Sequence, residues 1–170
     1  MRISIIGHSS SGKSTLARKV SDKFGIPHLH IDRLWFESGA YKLLKPKDVE
    51  KLNEARVWIK NEVSKWILQK DWVSDGWYPK VQSLVTKEAD QLVFIDIPLW
   101  KRLKNHVKRI FTTERHRELS KWDDIKFIFN MIIKTIKRDK KMRQFAKENE
   151  SKLVVLKTYA EVEQYLKNLK

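Results

Sequence analysis

The sequence contains no cysteine in its 170 residues. This absence excludes a disulfide framework, and it also excludes any zinc site built from cysteine thiolates. A chain without thiols suits a reducing compartment, which agrees with a cytoplasmic location.

Long apolar segments are missing as well. The apolar opening is limited to residues 3–6, which is too short for the core of a signal peptide. The most apolar later run, 125–136, is interrupted by lysine and asparagine and is shorter than the ~20 residues that a membrane span requires. We therefore expect a soluble, cytoplasmic protein without a membrane partner.

Proline and glycine are scarce, with four and five residues respectively. No tract rich in proline, glycine or serine indicates a linker, and no internal repeat is visible. A chain of this length is sufficient for one hydrophobic core. We therefore expect residues 1–170 to form a single domain.

Acidic residues are outnumbered, because 36 Lys and Arg residues against 21 Asp and Glu residues give a formal net charge of +15. Such a charge attracts nucleotides, nucleic acid or anionic membranes. Many lysines are spread over helical stretches, as on a solvated surface: Lys134, Lys137, Lys140, Lys141 and Lys147. Dispersed surface charge is the simpler interpretation, and a dedicated polyanion-binding face is the alternative. Nucleic acid would then be a possible but not a specific partner.

One motif carries most of the functional information. Residues 7–14, Gly-His-Ser-Ser-Ser-Gly-Lys-Ser, fill every fixed position of the phosphate-binding P-loop, or Walker A, pattern. The motif follows the apolar run at 3–6, and helical spacing of apolar residues begins directly after it. The Asn-Lys-x-Asp motif with which GTPases read their base is absent, so ATP is the expected nucleotide.

The residue types of the loop suit phosphate binding. Glycines at 7 and 12 allow close approaches and backbone conformations that direct N–H groups at phosphate oxygens. Lys13 would place its charge on the β- and γ-phosphates, and the Ser14 hydroxyl would bind Mg²⁺. We expect the nucleotide to contact Gly7, Ser9, Ser10, Ser11, Gly12, Lys13, Ser14, Thr15 and, beyond the loop, Arg109.

Strands and helices alternate along the rest of the chain. Strands are predicted at 3–6, 28–32, 72–74, 92–97 and 153–156. Helices are predicted at 13–24, 46–69, 81–85, 98–110, 120–148 and 158–169. Residues 34–44 are expected to be irregular, and 111–121 to form a mobile connection. This alternation predicts a three-layer α/β/α fold with a five-stranded parallel sheet, with ligands at the carboxyl ends of the strands.

Three further segments carry a family resemblance. With the P-loop, the sequences IPHLHID at 26–32, WVSDGWY at 72–78 and ADQLVFIDIP at 89–98 resemble the topology modulation proteins, small P-loop proteins similar to adenylate and shikimate kinases. The resemblance covers most of residues 1–110 and returns at the last strand. It implies a P-loop kinase-like fold that uses ATP and Mg²⁺. Residues 33–45, Trp77 and Lys87 depart from the family pattern, so the acceptor is not implied.

Asp75 is the candidate acid behind the metal. The resemblance implies that Asp75 ends the strand beside the P-loop and holds Mg²⁺ through water, a role that a strand-end carboxylate suits chemically. No glutamate follows Asp75, so the water-activating acid of many ATPases is missing, which favours transfer to an acceptor over hydrolysis. An ordinary Asp-Gly turn is the alternative.

Asp32 is the candidate residue on the acceptor side. We expect it at the end of the second strand, on the same face as His28 and His30. The resemblance to small-molecule kinases implies that Asp32 orients or deprotonates the acceptor. Capping of a turn or helix is one alternative, and a metal site formed by His28, His30 and Asp32 is another.

Arginines would complete the site, because phosphoryl transfer needs positive charge on the γ-phosphate oxygens. Arg115 and Arg117 fall in the segment 111–121, which is placed like the short lid of adenylate-kinase-like enzymes. We predict that they are catalytic together with Lys13 and Asp32, with simple solvation as the alternative for each arginine. The sequence thus predicts an ATP- and Mg²⁺-dependent kinase acting on a small molecule, such as a nucleoside or nucleotide. A nucleotide-gated nucleic-acid-binding protein is the alternative.

Overall fold

The computed structural model describes residues 1–43, 48–104 and 138–170. The predicted lid at 111–121 lies outside the described residues, as do Arg109, Arg115 and Arg117. Contacts group the described residues into two compact units, which are taken in turn below. The first is Met1–Ile6 with Lys13–Val93, and the second is Gly7–Gly12 with the described part of Phe94–Lys170.

Five strands form the sheet: β1 (Arg2–Gly7), β2 (His28–His30), β3 (Trp72–Asp75), β4 (Gln91–Ile95) and β5 (Leu153–Leu156). They form a parallel sheet in the order β2-β3-β1-β4-β5. The predicted α/β class and the predicted number of strands are therefore confirmed. Because β2 and β1 both pair with β3, the carboxyl ends of β1, β2 and β3 share one sheet edge.

The helices of the described residues, in chain order, are α1 (Lys13–Phe24), α2 (Ile31–Glu37), α3 (Val49–Trp66), α4 (Pro79–Glu88), α5 (described over 99–104), α6 (described over 138–148) and α7 (Tyr159–Asn168). Short 3-10 turns cover Ala40–Lys42 and Glu150–Lys152. The predicted long helix at 46–69 is α3, which ends earlier, at Trp66. The predicted start of that helix at residue 46 lies outside the described residues.

The core of the first unit lies around β3, α3 and α4. Helix α3 buries Ala55, Ile59 and Val63, which recur every four residues and therefore share one face. Trp72 of β3 is fully buried in the same cluster, and its indole N–H donates to the Ile67 carbonyl at 3.3 Å. Each fully buried aliphatic side chain contributes ~1.5–3 kcal/mol to folding. This core supports the strand that ends in Asp75.

Two predictions around residues 28–44 are wrong. The second strand ends at His30 rather than at Asp32, and residues 34–44 are not irregular, because α2 and a 3-10 turn occupy most of them. The pairing explains the strand end, since the register of β2 on β3 stops where His30 meets Asp75, the last residue of β3. Ile31 and Leu34 are buried on one helix face instead. Asp32 therefore lies in the first turn of α2.

In the second unit, the residue after β4 is bonded to the last residue of β5, because the Asp96 N–H donates to the Leu156 carbonyl at 2.8 Å. The predicted cap of the last helix is confirmed, with the Glu161 N–H donating to Thr158 Oγ1 at 3.1 Å. In the described parts of the chain, no helix combines the length and the apolar character that crossing a bilayer requires.

Candidate functional site

The loop after β1 has the backbone geometry of an anion cradle. Gly12 adopts φ +96° and Ser10 adopts φ +60°, in the region that residues with a Cβ rarely occupy. Gly7 is required for space, because a Cβ there would lie 2.8 Å from Ser11 Oγ and 2.9 Å from the Ile95 carbonyl oxygen. Alternation of left- and right-handed residues turns successive N–H groups towards an anion. The loop 7–12 therefore fits a bound phosphate.

Ser11 adds an observation that points the same way. Its side chain is fully buried, and its hydroxyl has no hydrogen-bond partner among the described residues. Buried hydroxyls are nearly always paired, so a free one at a ligand site suits a ligand that brings its own acceptor. A phosphate oxygen is such an acceptor.

Lys13, the first residue of α1, contacts Asp32. Its ammonium Nζ lies 3.6 Å from Asp32 Oδ2, and the Asp32 side chain is 42% exposed. The other carboxylate oxygen, Oδ1, accepts the backbone N–H of Trp77 at 3.3 Å. Gly76 allows this approach, because a Cβ there would lie 3.0 Å from the Asp32 nitrogen. The turn after β3 therefore holds Asp32 beside the P-loop lysine.

Ser14, the next residue, contacts a second carboxylate. Its hydroxyl donates to Asp75 Oδ2 at 2.5 Å, and the Asp75 side chain is 0% exposed. The parallel register explains the meeting, since Asp75 is aligned with Ile5 near the end of β1. The predicted positions of Asp75 beside the P-loop strand and of Asp32 at the same sheet edge are thus found, while their chemical roles stay predictions.

His28 and His30 both approach Asp75. The Nε2 atom of His28 donates to Asp75 Oδ1 at 2.7 Å, and His30 Nδ1 lies 2.9 Å from the same oxygen, without the alignment of a hydrogen bond. Burial alone would raise the pKa of Asp75, but the contacts with His28, His30 and Ser14 outweigh burial and hold that pKa well below its usual range. Asp75 is therefore a stable buried anion. Contact with Asp75 raises the pKa of His30.

The alternative metal site of His28, His30 and Asp32 is not formed, since the histidines contact Asp75 instead. Among residues 1–43, 48–104 and 138–170, no group of three or more His, Cys, Asp or Glu side chains is arranged to hold a metal ion. Mg²⁺ bound with nucleotide phosphates needs fewer ligands, because it keeps several waters and takes only one or two protein oxygens. Ser14 fits this requirement, since its O–H donates to Asp75 and leaves both oxygen lone pairs free.

A second polar cluster connects the phosphate loop 7–12 to helix α6 within the second unit. His8 is buried, and its Nε2 lies 2.7 Å from Asp139 Oδ1 on α6. Arg143 donates to Asp139 Oδ2 at 2.7 Å and binds both oxygens of Asp96 at 2.7 and 2.8 Å. Burial lowers the pKa of His8, and the hydrogen bond with Asp139 opposes this only in part. The cluster holds one side chain of the phosphate loop in a single position.

Two further polar groups near the turn after β3 were not singled out from the sequence. Tyr78 Oη and Arg56 Nε are buried, and the phenol lies next to the Arg56 guanidinium. Burial raises the pKa of the Tyr78 phenol, and the neighbouring Arg56 guanidinium opposes this shift. The Tyr78 ring also contacts Trp35, with ring centroids 5.5 Å apart. Tyr78 directly follows Trp77, whose backbone N–H donates to Asp32.

The remaining predicted nucleotide contacts lie along the loop and the first turn of α1. Ser9 and Thr15 are exposed, and Ser10 is partly exposed. No contact of Arg109, Arg115 or Arg117 is described, because these residues lie outside the described ranges. The assignment of Arg109 to the nucleotide and of Arg115 and Arg117 to catalysis therefore stays a prediction.

No protein-family model matches the sequence, and no curated protein matches it. Solved structures do match. A shikimate kinase from Bacteroides thetaiotaomicron has a TM-score of 0.62 at 15% identity, covering 98% of this chain and 94% of that one. Shikimate kinase from Acinetobacter baumannii in complex with shikimate has a TM-score of 0.55 at 15% identity, covering 98% of this chain and 89% of that one. Shikimate kinase from Aquifex aeolicus has a TM-score of 0.52 at 20% identity, covering 98% of this chain and 92% of that one.

These likenesses establish the fold alone. The similarity to topology modulation proteins remains an interpretation of the sequence, whereas the predicted similarity to shikimate kinases is confirmed at the level of the fold. The chain therefore has the α/β P-loop fold that shikimate kinases also adopt.

Proposed function

We propose that the protein is an ATP- and Mg²⁺-dependent phosphotransferase that acts on a small-molecule acceptor. The observation that carries this proposal is that two consecutive P-loop residues contact two different carboxylates. Lys13 lies 3.6 Å from Asp32, and Ser14 donates to Asp75. One carboxylate would serve the acceptor and the other the metal.

The difference in exposure supports this division. Asp75 is fully buried and held by contacts with His28, His30 and Ser14, which suits a fixed charge behind a metal shell. Asp32 is 42% exposed and so remains accessible to a second substrate. Bound Mg²⁺ would compensate the charge that develops on the phosphate oxygens.

The transfer follows from these positions. The acceptor hydroxyl oxygen forms a bond to the γ-phosphorus while the bond from that phosphorus to the bridging oxygen breaks, and ADP leaves. Asp32 orients the hydroxyl and accepts its proton. Lys13 neutralises the phosphate oxygens during transfer, with Arg115 and Arg117 assigned to the same task. Gly76 rather than a glutamate follows Asp75, so the turn places no acid there to activate water.

The acceptor is proposed only as a class. The similar structures are shikimate kinases, and one of them was solved in complex with shikimate, which supports a small hydroxylated acceptor. At 15–20% identity they do not support shikimate itself. A nucleoside or nucleotide is the class that we propose to test first.

Two substitutions test the division of roles. We expect Lys13→Ala to weaken ATP–Mg²⁺ binding by ~10- to 100-fold, the value of a charge-assisted hydrogen bond. Lys51→Ala, which removes an exposed lysine of α3, is the matched control and should bind ATP like the wild type. Isothermal titration calorimetry measures both. Unchanged affinity in Lys13→Ala would remove the basis of the proposal.

We expect Asp32→Asn to keep ATP affinity, because the substitution leaves Lys13 free for phosphate, and to reduce transfer by ~10²- to 10⁴-fold. The assay is phosphorylation of nucleosides, nucleotides and hydroxylated metabolites by wild-type protein with ATP–Mg²⁺. Loss of ATP affinity in Asp32→Asn would assign Asp32 to the nucleotide instead. If the wild type phosphorylates no acceptor of these classes, the kinase proposal is wrong.

A further inference from the structure

The two oxygens of the Asp75 carboxylate face different partners. An ionised carboxylate offers about four lone-pair positions, two on each oxygen. His28 Nε2 and His30 Nδ1 both lie against Oδ1, at 2.7 and 2.9 Å. The Ser14 hydroxyl takes one position on Oδ2. On Oδ2 one acceptor position is left open beside the Ser14 oxygen, whereas both imidazoles lie against Oδ1.

The two histidines are held by the sheet rather than by a flexible loop. They are the first and last residues of β2, which pairs with β3 in the register His28↔Val73 and His30↔Asp75. Their side chains leave the same face of the strand, and their rings stack with centroids 5.8 Å apart. The imidazoles therefore meet Asp75 from fixed positions.

Without these contacts the carboxylate could rotate about its last torsion angle. Either oxygen could then accept the Ser14 hydroxyl, and the open acceptor position beside Ser14 would no longer lie in one place. A carboxylate that orients a metal-bound water has to present one oxygen in one direction. The contacts on Oδ1 supply that restriction.

We propose that His28 and His30 are positioning residues that hold Asp75 by Oδ1, so that Oδ2 alone faces Ser14 and the hydration shell of a nucleotide-bound divalent cation. This inference rests on the proposed function. The two histidines act through different ring nitrogens, His28 through Nε2 and His30 through Nδ1. His28 makes the aligned hydrogen bond, so its contribution is the larger.

The different nitrogens allow a crossed experiment. The side-chain nitrogen of glutamine lies near the position of His Nε2, and that of asparagine lies near His Nδ1. At position 28, glutamine should therefore keep the contact with Asp75 and asparagine should lose it. At position 30, asparagine should keep the contact and glutamine should lose it. Four variants, His28→Gln, His28→Asn, His30→Asn and His30→Gln, test this reversal, and all four replace one polar side chain by another.

The readout is the affinity for Mn²⁺ in the presence of ADP, measured by electron paramagnetic resonance, with ADP affinity in EDTA as the metal-free reference. We expect His28→Asn to weaken Mn²⁺ binding by ~10- to 100-fold, as for other residues that orient metal-bound groups. His30→Gln should weaken it by a smaller factor. His28→Gln and His30→Asn should stay within about threefold of the wild type. ADP affinity in EDTA should be unchanged in all four variants.

The outcomes separate this inference from the proposed function. If the wild type binds ADP and Mn²⁺ together but the order of the variants is not reversed between the two positions, positioning by Oδ1 is wrong and the proposed function stands. Equal Mn²⁺ affinity in all four variants has the same meaning. If the wild type binds no Mn²⁺ with ADP, the metal-dependent function is wrong and this inference is overturned with it.

Discussion

Gly76 is the position where a single methyl group should disturb both stability and the site. The glycine adopts φ +128°, and an alanine Cβ would lie 3.0 Å from both the Asp32 nitrogen and Ile31 Cβ. Neither atom can rotate away, because one belongs to the backbone and the other is attached to it. The strained backbone costs ~1–3 kcal/mol and the crowding costs ~1–3 kcal/mol. Gly76→Ala should therefore lower the free energy of unfolding by ~2–6 kcal/mol.

Gly25 provides the matched control. It also has positive φ, +63°, but an added Cβ would meet nothing within 4 Å. Gly25→Ala should therefore cost only ~1–2 kcal/mol, the backbone cost alone. Urea unfolding followed by tryptophan fluorescence measures both variants, and in thermal unfolding each kcal/mol corresponds to ~2–4 °C for a chain of this length.

Equal losses in the two variants would refute the steric argument at Asp32. The site offers a second readout, because the added methyl group would push Asp32 away from the Trp77 N–H and from Lys13. Gly76→Ala should reduce phosphoryl transfer at temperatures where the variant is fully folded, whereas Gly25→Ala should not.

Two further predictions concern the second polar cluster. Because burial lowers the pKa of His8, the unfolded chain takes up a proton at higher pH than the folded chain, and stability should decrease as the pH falls below about 6.5. In His8→Asn the melting temperature should fall less as the pH is lowered from about 7.5 to about 5. An unchanged dependence of the melting temperature on pH would contradict this prediction. Arg143→Lys should cost ~1 kcal/mol, because lysine cannot bind both oxygens of Asp96 while it also contacts Asp139. Arg33→Lys, at an exposed ion pair within α2, should cost only ~0.3 kcal/mol in the same unfolding assay, and equal costs would contradict the bidentate argument.

Much of the fold could be predicted because its signals are local. Buried parallel strands appear as short apolar runs, and the helices between them have one apolar face, so the alternation was readable without knowing any pairing. The strand at 28–32 was the instructive error. Its alternating pattern continued through Ile31 and Asp32, but a strand extends only as far as its neighbour allows, and β3 ends opposite His30. The alternation of residues in one segment cannot show where the neighbouring strand ends.

The site was predictable in part for the same reason. Lys13 and Ser14 follow from a contiguous motif, and Asp75 from a strand end followed by glycine. The contact of His28 and His30 with Asp75 depends on β2 lying next to β3, although β2 follows β1 in the chain. That neighbour relation is set by the packing of the whole sheet, so the sequence offered for the histidines only the alternative of a metal site with Asp32.

The cluster around His8 could not be predicted from the sequence. His8 and Asp139 are separated by 131 positions and belong to no common motif. Only the folded chain shows that the basic Arg143, in a sequence with many exposed cations, is held by two carboxylates at once.

The Ser11 hydroxyl, which has no partner in the part of the chain that the structure describes, has a consequence for the evolution of the loop. A buried hydroxyl without a partner costs ~1–3 kcal/mol, so the ligand-free protein keeps a group that selection for stability alone would replace by alanine. Removing that hydroxyl should raise the free energy of unfolding measured without nucleotide. It should also reduce the increase in that free energy when nucleotide binds. The Ser11 hydroxyl oxygen would then favour nucleotide binding and at the same time lower the thermal stability of the protein.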